Sequence, residues 1–223
     1  MPPAERPSSS GRLLMGVAWA MLLLGLWLWG REHSGGLGAA SGPTTGDVAA
    51  VGRPRAVPLP PAHRPLEPAR PQRVEIPSIG VAARVVPRGL DAAGAIEPPP
   101  YASAQSIGWY GAGTQPGARG ASLLVGHVDT RTAPAVFYGL SAARPGQKVR
   151  VSRADGSVAE FTIDDVQVFG RDRFDARKAY GQRRAGRAEL RLITCGGTFD
   201  RATDSYAANV VVSAYLTAVS RTG

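Results

Sequence analysis

One cysteine, Cys195, ends the apolar run 189–195 (ELRLITC) and is followed by Gly196 and Gly197. A thiolate at a strand end is a strong nucleophile when a nearby cation stabilises it. Adjacent glycines let a substrate backbone approach the sulfur. The same residue also reads as a small buried hydrophobe, a common state of unreactive cysteine. With one cysteine in 223 residues, no internal disulfide can form and no resolving thiol exists for a redox cycle. His127 lies in a second apolar run, 122–128 (SLLVGHV), and histidine serves as general acid or base near neutral pH. A structural histidine is the other reading of that position. His33 and His63 fall in proline- and glycine-rich sequence, which leaves His127 as the histidine available to a folded site. Arg201, six residues after Cys195, carries a guanidinium able to hold an oxyanion or a substrate carbonyl. Taken alone it reads first as a surface loop charge, since most arginines are exposed.

The elements that would position these groups are short strands. Residues 74–76 and 81–86 read as strands broken by Pro77 and Pro87, and 122–128 as a buried strand. Residues 134–140 (PAVFYGL) read as a short helix. Alternation over 148–152, the turn pair Asp155-Gly156, and alternation again over 158–169 predict a hairpin. Residues 174–187 form a polar, basic loop with one helical turn, and 189–195 and 209–216 (NVVVSAYL) are strands. Many short strands with few helices predict a mainly β fold, a closed or nearly closed barrel of about eight strands.

The rest of the chain is organised around that region. Residues 13–30 (LLMGVAWAMLLLGLWLWG) carry no charge over 18 positions, the short end of a membrane-spanning helix. Trp27 and Trp29 lie at one end, and Arg6 and Arg12 precede it, which predicts a cytoplasmic tail (1–12) and an extracytoplasmic remainder. A cleaved signal peptide is the competing reading, with 39–41 (AAS) as its processing site. Residues 31–72, rich in Pro, Gly, Ala and Arg, read as a linker, and the catalytic domain is expected at 73–219. The net charge is +9, but the arginines are scattered and no zinc-finger or helix-turn-helix spacing occurs, so nucleic acid is not the expected partner.

Taken together, GWY at 108–110, GHVD at 126–129 and TCGGTFDRATDSYAANVVV at 194–212 resemble sortases, most nearly the class F sortases of actinobacteria. The resemblance spans about 73–218 and implies an eight-stranded sortase-type barrel. It makes Cys195 the nucleophile and His127 its partner. Many sortases carry an arginine at the start of the last strand, where this chain has Ala207-Ala208-Asn209, so the arginine role falls to Arg201. Thr194, Gly196 and Gly197 are expected against substrate. Asp129 is expected to orient His127 or to cap a turn or helix. The implied reaction cleaves an LPXTG-like signal of a secreted protein between Thr and Gly, through a thioacyl enzyme, and transfers it to a peptidoglycan amine. No cofactor or metal is called for. A thiol protease hydrolysing the same intermediate, and a catalytically silent envelope-binding barrel, are the rival readings.

Overall fold

The computed structural model describes residues 58–92, 94–170, 175–201 and 205–221. Eight strands close into one barrel in the order β1-β2-β3-β4-β7-β8-β6-β5, with β5 pairing back onto β1. The strands are β1 Pro71–Ile76, β2 Val81–Arg88, β3 Ile107–Tyr110, β4 Gly120–Val125, β5 Lys148–Arg153, β6 Ser157–Gly170, β7 Ala188–Asp200 and β8 Ser205–Arg221. Two ladders are parallel, β2 with β3 and β4 with β7; the rest are antiparallel. Closure leaves no long free edge, the usual solution for an all-β chain.

Strand periodicity fills the interior. Val74 and Ile76, Val149 and Val151, Phe161 and Ile163, Leu190 and Leu192, and Val212 and Leu216 are each almost wholly buried in one core. Each such side chain contributes roughly 1.5–3 kcal/mol through burial. The intervening positions face outward. Ile193 and Val211 instead form a second, smaller cluster with Ala179 on the barrel's outer face. The β5–β6 hairpin forms as its sequence predicts: Gly156 takes φ +76°, and the Asp155 carboxylate accepts from the Ser157 N–H and hydroxyl.

Four expectations change. Pro87 does not end β2, because residues 85–88 pair only with β3 and no longer with β1. A missing N–H is tolerated where one side of a strand is unpaired. Residues 134–140 form no α-helix. Their bonds, Tyr138 N–H to Ala135 O and Leu140 N–H to Phe137 O, are the three-residue kind, leading into a 3-10 turn at Leu140–Ala142. The last two strands run further than their apolar cores, since β7 and β8 pair with each other as far as Asp200–Ser205. Finally, part of the stretch read as linker is strapped to the barrel. His63 N–H bonds Leu216 O, Leu66 N–H bonds Gly117 O, Ala154 N–H bonds Arg70 O, and the Tyr215 hydroxyl bonds Pro60 O. Buried Arg153 adds a bond to the Glu67 carbonyl. The expected membrane segment at 13–30 and the linker up to residue 57 lie outside the described residues. Among the described residues no helix is long and apolar enough to cross a membrane.

Candidate functional site

The parallel β4–β7 ladder pairs Leu124 with Leu192 and Val125 with Ile193, and the Gly126 N–H continues it by bonding Ile193 O at 3.1 Å. Carried two residues past its last pair, the same register sets His127 level with Cys195. Adjacent strands lie about 5 Å apart, so the imidazole and thiol emerge side by side at the barrel mouth. Cys195 is exposed and belongs to the outward-facing set of β7, whereas Leu190 and Leu192 point into the core. Gly126 allows the approach: a Cβ there would sit 2.7 Å from side-chain atoms of both Val136 and Phe137.

A segment that the sequence reading did not single out holds His127 in place. Its Nε2–H donates to the Pro99 carbonyl at 2.6 Å, and the ring stacks on Tyr101 with centroids 4.4 Å apart. A carbonyl only accepts, so Nε2 carries the proton and Nδ1 is the lone-pair nitrogen of the neutral ring. The three prolines 98–100 form a stiff approach to Tyr101 and were the available signal.

Asp129 does not orient His127 through a hydrogen bond. Its carboxylate accepts from the Tyr206 hydroxyl, tying the chain after β4 to β8. That bond, with burial second, pushes the Tyr206 phenol up to about 12. Thr194 is buried, paired with core residue Val210, and faces inward away from the thiol. Gly196 is buried too, and a Cβ there would lie 2.6 Å from Val210 Cγ2. Gly197 has φ +79° where the ladder register shifts between Gly196 and Phe199. Both glycines thus have packing and backbone reasons beside any role towards substrate.

Arg201 is not brought to the thiol. Cys195 pairs with Asn209, whereas Asp200 pairs with Ser205, four residues further along β8. At about 3.3 Å per residue the ladder carries Arg201 roughly 13 Å or more beyond the sulfur's own pair. The sequence interval of six residues suggested proximity; an extended strand converts it into distance.

The wall beside Cys195 comes from the connection between β6 and β7. It contains a short helix, α1 (Ala176–Tyr180), capped by Asp175, whose carboxylate accepts from the N–H groups of Arg177 and Lys178. Ala179 and partly buried Tyr180 pack on Ile193 and Val211, the outward neighbours of the thiol strand. Two residues on that same face fasten the returning chain. Glu189 accepts from the backbone N–H of Arg183 and of Arg184, both at 2.8 Å, and from Arg191 Nη2 at 2.6 Å. Arg191 in turn donates to Gly181 O. Among the described residues no group of three or more His, Cys, Asp or Glu converges as a metal site.

An outward thiol and an imidazole level with it, on neighbouring strands at one mouth of a β-barrel, define a cysteine–histidine site of the kind that performs acyl transfer. The family description "Sortase domain" matches residues 74–217. This chain belongs to the sortase family, the members of which are cysteine transpeptidases. Solved structures share the fold. Sortase C-1 from Actinomyces oris is 22% identical at a TM-score of 0.50, over 66% of this chain and 71% of that one. Listeria monocytogenes sortase A is 16% identical at 0.50, over 70% and 92%. Sortase C1 from Streptococcus agalactiae is 18% identical at 0.50, over 66% and 67%. No curated protein sequence matches the chain.

Proposed function

We propose that this chain is an extracytoplasmic sortase of the class F type that cleaves an LPXTG-like sorting signal between Thr and Gly and joins the acyl part to an envelope amine. The observation that supports it most is the level arrangement of Cys195 and His127 on β7 and the end of β4. His127 takes the thiol proton on its lone-pair nitrogen, and the thiolate attacks the threonyl carbonyl carbon. The imidazolium then returns the proton to the departing amine, leaving a thioacyl enzyme. An incoming amine, from a peptidoglycan stem or bridge, attacks the thioester and releases Cys195. The amine wins over water if the groove excludes solvent, and the packed β6–β7 connection is suited to that.

The uncharged run at 13–30 would anchor the enzyme in the membrane with its N-terminus inside. Its substrates would then be exported proteins bearing the signal. Incubation with an LPXTG peptide and candidate amines, followed by mass spectrometry, tests the reading. The expected products are a thioacyl adduct on Cys195 and an amine-linked peptide, both missing in Cys195→Ala. Hydrolysed peptide alone, whatever amine is supplied, would make the protein a thiol protease. A chain that forms no adduct would be a silent barrel.

A further inference from the structure

Acyl transfer places negative charge on the carbonyl oxygen of the tetrahedral intermediate, and some donor must meet it. The β7–β8 ladder identifies what stands there. Cys195 pairs directly with Asn209. Directly opposed residues of an antiparallel pair project from the same face with Cβ atoms about 5 Å apart. Asn209 therefore emerges beside the sulfur on the outward face, half-buried. Its other cross-strand partner is Phe169 on β6, whose side chain offers no acceptor. No hydrogen bond of the Asn209 side-chain amide occurs among the described residues. Ala207 and Ala208, the adjoining positions, carry no donor, and Arg201 lies at the far end of the ladder.

We propose that the Asn209 side-chain amide is the oxyanion donor of this site, in the place that the sequence reading gave to Arg201. This rests on the transpeptidase reading above. As the Cys195 thiolate forms the C–S bond, the carbonyl π pair moves onto oxygen and Asn209 Nδ2–H donates to it. When the pair returns, the C–N bond breaks and the amine leaves with the proton from His127. Asparagine gives this oxygen a neutral donor where a guanidinium would give a charged one. The binding of the uncharged ground state is then little affected by its loss, while the acylation step is slowed.

The test compares the full-length protein with Asn209→Ala, Asn209→Asp, Asn209→Gln and Arg201→Ala. Thioacyl formation on an LPXTG peptide is followed by mass spectrometry and steady-state kinetics. Iodoacetamide alkylation of Cys195, which needs no oxyanion donor, reports whether the thiol and fold are intact. Removing an oxyanion donor slows the chemical step by about a hundredfold or more. Asn209→Ala should therefore lose about that factor in kcat, with KM and alkylation little changed; Asn209→Asp, which donates nothing and sets a carboxylate beside the thiolate, should lose at least as much and alkylate more slowly. Asn209→Gln should recover part of the rate, and Arg201→Ala should turn over like wild type. Full-rate acylation by Asn209→Asp, or a collapse in Arg201→Ala alone, overturns the proposal while leaving the transpeptidase intact. A wild-type chain that is never acylated removes both.

Discussion

Replacing Glu189 by glutamine should cripple the wall of the groove without touching the thiol. Glu189 and Arg191 are 4% and 1% exposed at the side chain and stand 2.6 Å apart. The same carboxylate receives the backbone N–H groups of Arg183 and Arg184. Glutamine keeps the shape but presents an amide donor toward a cluster of donors, and it leaves the Arg191 charge buried without its partner. Breaking such a pair on one side costs about 3–5 kcal/mol. A domain's whole stability is about 5–15 kcal/mol. For a domain of this size each kcal/mol moves Tm by about 2–4 °C, so calorimetry should show a fall of roughly 6–20 °C. Hydrogen exchange should rise selectively in residues 175–187, which lose their fastening. The double variant Glu189→Leu/Arg191→Met removes both charges but also the acceptor of the Arg183 and Arg184 N–H groups and the donor to Gly181 O, so it should remain destabilised and the 175–187 exchange should stay raised. A Glu189→Gln protein that melts with wild type would refute the reasoning.

Three further outcomes are expected. The Tyr206 phenol is raised to about 12 by Asp129, so below the ordinary phenol value of about 10 its stabilising bond is complete. Between those values the unfolded chain loses its proton first and stability falls with pH; Tyr206→Phe should be less stable at neutral pH and show a smaller fall, the remainder coming from the Tyr180 and Tyr215 phenols that burial also raises, as urea unfolding at several pH values would show. Truncation to residue 58 should leave Tm unchanged, whereas truncation to residue 71 removes five hydrogen bonds of the strap and should lower stability by the order of a few kcal/mol, measured by thermal melting. Gly126→Ala drives a methyl group into Val136 and Phe137 and should cost about 1–3 kcal/mol in denaturant unfolding, with slower acylation because His127 shifts.

Much of the barrel and half of the site are legible in one dimension. The hairpin follows from Asp155-Gly156 between alternating runs, a pattern written in adjacent residues. The apolar runs at 122–128 and 189–195 mark buried strands because hydrophobic burial acts on every residue locally. A lone cysteine and a lone eligible histidine, each in such a run, leave few choices of nucleophile and base.

The remainder depends on pairings between distant segments, which no local pattern encodes. Only the parallel β4–β7 ladder, closed by the whole barrel, sets His127 level with Cys195. Only the β7–β8 register carries Arg201 away from the sulfur and brings Asn209 opposite it, because strand geometry turns sequence interval into length. The proline-rich strap looks like a linker since its composition forbids regular structure. It is held by bonds from strands that the sequence places far downstream. Glu189, which the sequence shows as a charge within a strand, becomes the buried clasp of the groove wall once the chain returning from β6 surrounds it with N–H groups. Local preference thus determined the elements and the reactive residue types. Tertiary register, driven by core burial and closure of the ladder, decided which side chains meet.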